Sequence, residues 1–472
     1  MSDAALAELE RALPRAAVRE VAPGYLADPR GRFTGTATAV LAPGCVDEVA
    51  RIVRVAAATG TPVVPFGGGT GLVGGHTLTD GAPPILLSLE RMAAVREIYA
   101  DEGVIIAEAG AILQDVQAAA ARAGLLFPLS LASQGSCRIG GNLATNAGGL
   151  NVLRYGNARD LCLGLEAVLP DGSVWHGLKR LRKDNTGYDL KNLLIGSEGT
   201  LGVITAASLR LFPRPAAEAT AVFAVPGPAA ALELLALARA QVGEGISAFE
   251  LMHRRGLDFL AATMPEVRQP FAAPPEWSVL VDLGLHGDGD PQAALEAIFA
   301  AGTEAGLVTD GVLAGSEGQR AAFWRVRESI PEANKRVGAI ASHDISLPLG
   351  ALADFIARAP DAVARIGAFR INCFGHVGDG NLHYNVFPPE GRNRGEYADR
   401  RAAVSDAVHD LVHEMGGSIS AEHGIGRVKV DALVRYADPA RLAAMRAIKA
   451  ALDPAGIMNP GAVLPSSAGP LP

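Results

Sequence analysis

Two short stretches of this 472-residue chain concentrate side chains that could do chemistry. "FGHVGDGNLHYNV" carries His376, Asp379, Asn381, His383 and Asn385 in a glycine-broken turn that runs into an alternating segment. A two-residue period in "NLHYNV" puts His383 and Asn385 on one face of a strand, with His376 in the turn leading in. The stretch could hold a metal, cradle a phosphate or be an ordinary tight turn. "SAEHGIGRVK" sets Glu422 beside His423, just before a glycine break. Two imidazoles and a carboxylate form a three-ligand metal set with a position open for substrate. Spacing alone leaves that reading open against turn and strand histidines with satisfied hydrogen bonds and a helix-end glutamate.

A second kind of chemistry is written in glycine. "PFGGGTGLVGG" (65–75) follows a short apolar strand, and Gly69, Gly71 and Gly74 satisfy G-x-G-x-x-G. That pattern is weak unless a helix opens at once and aims its N-terminus at a pyrophosphate. Here "HTLTDGAPPILL" follows, polar and proline-broken, and no Gly-Lys-Ser/Thr is present. What remains is bare backbone whose N–H groups can converge on an anion. "QGSCRIGGNLATNAGGLNVLRYG" (134–156) and "NLLIGSEGTLGVIT" (192–205) have the same character. Three such loops from distant positions suit a long ligand such as a dinucleotide.

The elements that must position these loops are legible in outline. "TATAVLAP" predicts a strand, "GCVDEVARIVRVAAATG" a helix with Val49, Ile52, Val53 and Ala56 inward, and "TPVVPF" a second strand. A further helix is expected over about 111–124, loops over 131–160, and a strand in "VITAASLRLFPRP" that closes a first domain. Beyond it, helical patterns around 228–241, 291–305 and 350–365 alternate with strands such as "EWSVLVDL" and "FRINCFG". That order predicts helices covering an antiparallel sheet. A last helical stretch is expected from about 400 to 452, stopped by "DPAGIMNPGAVLP".

"PFGGGTGLVGG", "GGNLATNAGG", "GSEGTLGVIT", "GHVGDGNLH", "AEHGIG" and the closing "IMNPGAV" occur in that order over nearly the whole chain. Together they resemble the FAD-linked D-2-hydroxyacid dehydrogenases of the vanillyl-alcohol oxidase superfamily. The resemblance implies an α+β fold with a two-part FAD-binding domain and an α/β substrate (cap) domain built on an antiparallel sheet. A C-terminal helical segment would return to the flavin. The expected segments are a 1–34 lead-in helix, a 35–215 FAD-binding domain, a 216–424 cap domain with the metal site, and a 425–472 segment packing back. Pro65, Gly67, Gly68, Gly69, Thr70 and Gly71 would hold the FAD pyrophosphate. Gly135, Ser136, Ile139, Gly140, Gly141, Thr145, Asn146, Gly148, Gly149, Gly199 and Ile204 would flank the rest of a non-covalently bound FAD, with Asn459 at the flavin edge. His76 is not expected to tether it.

In the same relatives the counterparts of His376, His383 and Glu422 hold a divalent metal, and that of His423 acts as base. Asn385 and Arg327 would contact the substrate, Arg327 through its carboxylate. The implied activity is oxidation of a D-2-hydroxy acid, of D-lactate or D-2-hydroxyglutarate type, by hydride transfer from C2 to flavin N5. The division of labour is chemically sound. An alcohol pKa near ~16 exceeds that of histidine, ~6.5, by about 9 units or ~12 kcal/mol. A metal that acidifies the hydroxyl would remove much of that gap. Zinc or manganese leads among the ions, and iron(II) also suits the donors. Where relatives often carry lysine before "HD" or "YD" this chain has Ser342, and Pro331 stands where one relative has threonine. Both departures weaken the case for a distal substrate carboxylate. The alternatives are a metal-free flavin oxidase of the same superfamily and a non-catalytic FAD-binding electron-transfer subunit.

Composition narrows the setting. A formal charge of −8 without any basic block argues against nucleic acid. No signal-peptide pattern opens the chain and no apolar run approaches the ~18 residues of a membrane span. Four scattered cysteines fit neither a cluster nor a disulfide framework. A cytoplasmic protein is expected, at most peripheral at the inner face of a membrane, and dimers are the commonest prior. With no haem or cluster motif, electrons would leave to a quinone, a cytochrome or an electron-transfer flavoprotein.

Overall fold

The computed structural model describes residues 3–466, so positions 1–2 and 467–472 of the expected outer segments lie outside the described residues. The chain forms two compact units. One comprises the residues up to Gly149, Tyr155–Pro213 and the residues from Glu422 onward; the other comprises Leu150–Arg154 and Arg214–Ala421.

In the first unit, the helix Val46–Thr59 buries Val49, Ile52, Val53 and Ala56, the inward set given by its periodicity. It ends where Gly60 turns left-handed at φ 62°. The strands Ala39–Leu41 and Val63–Phe66 that flank it are not neighbours. Ile85–Ser88 lies between them, parallel to both. Its four residues are all buried, but a run that short behind "GAPP" carries no helical or strand period to read. A second, five-stranded antiparallel sheet runs in the order Val95–Tyr99, Val104–Glu108, Val203–Arg210, Cys162–Val168, Val174–Gly177. The end of the chain is tied to the strand before the first glycine loop. The Val63 amide donates to the Ile457 carbonyl and the Asn459 amide to the Val63 carbonyl, both at 2.8 Å. The region 131–160 is less loop-like than expected, since it contains the short helices Ile139–Ala144 and Val152–Tyr155.

The second unit is a seven-stranded sheet, antiparallel throughout. Its order is Asp310–Leu313, Ala217–Val225, Trp277–Leu285, Ile246–His253, Arg370–His376, Asn381–Phe387, Ala341–Ser346. The helices Pro228–Val242, Pro291–Glu304 and Leu352–Ala364 fall where the sequence patterns put them. The longest, Glu317–Val337, is capped by Ser316, whose hydroxyl accepts from the Gln319 amide, and is closed by Gly338 at φ 88°. Phe323, Val326, Ile330 and Ala333 on its inner face pack with Met252, Leu260, Phe374 and Phe387. Each large apolar side chain so buried contributes about 1.5–3 kcal/mol.

The helical stretch expected from about 400 to 452 is made up of three helices, Arg401–Glu414, Val430–Tyr436 and Pro439–Leu452. The interruption starts at Gly416 in the left-handed region (φ 71°) and Gly417, where a β-carbon would lie 2.5 Å from the Ser346 carbonyl oxygen. The irregular segment that follows carries Glu422 and His423. Among the described residues no helix is long and apolar enough to cross a membrane. All four cysteines are free thiols, with Cys137, Cys162 and Cys373 buried and Cys45 exposed.

Candidate active site

In the second unit the sheet itself sorts the polar side chains. Glu250 and His376 are directly opposed on adjacent strands, so their side chains share a face. Glu250 is 1% exposed. Its Oε1 lies 2.7 Å from His376 Nδ1, and its Oε2 accepts from Arg327 Nε at 2.7 Å. Burial alone would raise this carboxyl, but His376 and Arg327 more than reverse that and hold it down at about 2. Arg327 arrives from the helix Glu317–Val337, its guanidinium 4.8 Å from the Phe374 ring centre, and its Nη2 finds no hydrogen-bond partner among the described residues.

The next strand brings His383, whose ring centre is 5.6 Å from that of His376. His383 is paired in register with Asp344, and their nearest nitrogen and oxygen are 4.0 Å apart. Asn385 is buried, donates to the His383 carbonyl at 3.2 Å, and is opposed by Ser342 on one side and Asn372 on the other. Pro331 lies one turn after Arg327, exposed. Having no N–H, it leaves the Arg327 carbonyl without its intrahelical bond. Ala421 ends this unit, its amide donating to the Asp344 carbonyl at 3.2 Å.

In the first unit a cleft gathers the expected Pro65, Gly67, Gly68, Gly69, Thr70, Gly71, Gly140, Gly141, Thr145, Gly199, Ile204 and Asn459, together with His423. Gly135, Ser136, Ile139, Asn146, Gly148 and Gly149 are not on its walls. Ser136 backs the first loop instead, and the Gly149 amide donates to Glu422 Oε2 at 2.9 Å. His423 Nε2 is 3.7 Å from Glu422 Oε1. His76 lines the cleft, and burial lowers its pKa.

The loops around the cleft are fastened by two side chains that sequence reasoning quoted only inside motifs. Glu198, in a left-handed conformation at φ 53°, accepts from the amides of Ile425 and Gly426 at 2.7 and 2.8 Å. Burial nonetheless pushes its pKa up. Arg427 donates to the carbonyls of Gly74 and Gly75 and to Asn459 Oδ1, and burial lowers its pKa to about 10. Asn459 Nδ2 in turn donates to the Gly75 and Glu198 carbonyls. The segment bearing His423 is thereby held against the first and third glycine loops. Two cleft groups, Asn142 Oδ1 and Arg138 Nε, have no hydrogen-bond partner among the described residues. Such buried polar atoms cost free energy unless a ligand or water meets them. A backbone-lined cleft with spare polar groups fits an elongated, anionic dinucleotide.

Comparison with known proteins agrees with both halves. Residues 37–177 match a model described as FAD binding domain, and residues 214–463 one described as FAD linked oxidases, C-terminal domain. The mitochondrial D-2-hydroxyglutarate dehydrogenase of Bos taurus is 40% identical over 99% of this chain and 85% of its own length. A D-2-hydroxyglutarate dehydrogenase of Xanthomonas citri is 37% identical over 98% of this chain and 97% of its own. Among solved structures, p-cresol methylhydroxylase superposes with a TM-score of 0.76 at 16% identity, covering 99% of this chain and 98% of that one, a likeness of fold. Matched on both units and along full-length relatives, the chain belongs to the FAD-linked oxidases, the family that includes the D-2-hydroxyglutarate dehydrogenases.

Proposed function

We propose that the protein is an FAD-dependent dehydrogenase that oxidises a D-2-hydroxy acid to the 2-oxo acid with the help of a divalent metal. The carrying observation is the imidazole pair His376 and His383, on adjacent strands, with the Nδ1 of His376 already taken by a carboxylate. Relatives of 36–40% identity named as D-2-hydroxyglutarate dehydrogenases supply the reaction class. Glu422 is proposed as the third ligand. Its neighbour Ala421 is hydrogen-bonded to Asp344, the residue opposite His383, which supports that assignment. Zinc or manganese fits two imidazoles and a carboxylate. When bound, FAD supplies the hydride acceptor and the metal acidifies the substrate hydroxyl.

The chain's own residues do the rest. Arg327 grips the substrate carboxylate with the outer nitrogens of its guanidinium, and Asn385 orients the substrate. His423 takes the hydroxyl proton on an imidazole nitrogen. Pro65, Gly67–Gly71, Gly140, Gly141, Thr145, Gly199, Ile204 and Asn459, which line the cleft, remain the proposed FAD contacts, without a covalent tether. Ser342 offers no cation for a second carboxylate, which favours a short or apolar hydroxy acid over hydroxyglutarate. Electrons leave to an external quinone, cytochrome or electron-transfer flavoprotein. Free thiols support a reducing compartment. The cytoplasm is proposed for this chain, although several relatives are named as mitochondrial.

Anaerobic mixing with a panel of D- and L-2-hydroxy acids tests this reading. D isomers should bleach the flavin absorbance, D-lactate better than D-2-hydroxyglutarate, and L isomers should not. A chelator should abolish the bleaching and the proposed metal should restore it. Bleaching that survives complete metal removal would favour the metal-free alternative, and a flavin that no hydroxy acid reduces would favour the electron-transfer subunit.

A further inference from the structure

We infer that Glu250 is a positioning residue that sets both substrate-side grips of the second unit with one carboxylate, and the inference rests on the metal-dependent reading above. Each oxygen has its own partner: His376 Nδ1 on Oε1 and Arg327 Nε on Oε2, both at 2.7 Å. An ionised carboxylate can only accept, so a hydrogen sits on His376 Nδ1, and in the neutral imidazole Nε2 carries the lone pair. A metal-binding imidazole needs that tautomer and a fixed ring, and a carboxylate behind it supplies both. On the other side, Glu250 engages the guanidinium of Arg327 through Nε. Arg327 Nη2, buried and without a hydrogen-bond partner among the described residues, remains a donor for an anion. Glu250 comes from a strand directly opposed to the His376 strand, so the sheet register fixes the arrangement. The bland alternative is a counter-ion that merely neutralises buried Arg327.

Glu250→Gln and the double variant Glu250→Gln/Arg327→Met separate the two roles in the purified FAD-loaded protein. The measurement is Zn²⁺ and Mn²⁺ affinity by competition with a chromophoric chelator, with flavin content as the check on folding. Loss of Glu250 should weaken metal binding about 10–100-fold. It should raise KM for the hydroxy acid, and flavin content should hold. The metal defect should persist in the double variant, in which no buried arginine charge is left uncompensated. Restoration of wild-type affinity there would reduce Glu250 to a counter-ion and overturn the inference. If the wild type binds metal and Glu250→Gln binds it equally well, the inference fails while the metal reading stands. A wild type that binds neither ion overturns both. Should Glu250→Gln lose its flavin or fail to fold, Glu250→Asp takes its place. It keeps the charge but draws it back by one methylene, and unchanged metal affinity there would equally count against a positioning role.

Discussion

His423 lines the cleft between the glycine loops and is adjacent to a carboxylate that is itself fastened by the Gly149 amide. As the proposed base, His423 offers an imidazole nitrogen to the hydroxyl proton of the substrate. Replacing it with glutamine should lower kcat about 10²–10⁴-fold, the usual worth of a positioned general base. Flavin content should stay near that of the wild type, because backbone rather than this ring dominates the cleft wall. Single-turnover flavin reduction is the measurement, and a loss smaller than tenfold would remove His423 from the role of base. Side chains of the proposed site were visible from their type and spacing: two histidines around a glycine turn and the Glu-His pair before another. Glu250 was not. In "ISAFELMH" it is one carboxylate in an apolar strand, and its partners lie far off in sequence at Arg327 and His376. The clue was physical: a charge in a strand that buried must find a cation.

The three glycine loops work because backbone meets backbone. A β-carbon on Gly68 would lie 2.2 Å from the Ser136 carbonyl oxygen and 2.9 Å from Cys137 Cα, both parts of the second loop. Gly68→Ala must push the loops apart, at a cost of about 1–3 kcal/mol by analogy with overpacked sites. Flavin occupancy should fall roughly tenfold or more, read from the ratio of flavin to protein absorbance. Full occupancy in the alanine variant would show that the loops do not need this close approach. Long amphipathic helices were legible because their period extends over several turns, as in Val46–Thr59 and Leu352–Ala364. Ile85–Ser88 was not, since four apolar residues fit strand, helix or loop until neighbours pair with them. The boundaries inside the stretch after Arg401 were harder to place, because apolar residues on either side keep a helical rhythm across the break at Gly416 and Gly417.

Stability across pH has an identifiable contributor in Glu198. Its carboxyl is buried against the amides of Ile425 and Gly426, and the folded pKa lies above the ordinary carboxylate value because burial outweighs those bonds. Below about pH 4.3 both folded and unfolded chains hold the proton and the shift has no effect. As pH rises above that, the unfolded chain releases its proton first, so stability declines until the folded carboxyl ionises too. Glu198→Gln should lack this decline. Its melting temperature relative to wild type should climb from about pH 4.3 upward and then level off. A difference that is flat from pH 4 to 8 would mean that the amide bonds already offset burial. A separate consequence concerns handling. Burial lifts the thiols of Cys162 and Cys373 to about 12, and Cys137 is buried as well. Cys45 alone among the four is exposed, where the chain enters the helix Val46–Thr59. A thiol-seeking dye or spin label therefore marks one defined point on the native protein, with no need to engineer the other three cysteines away.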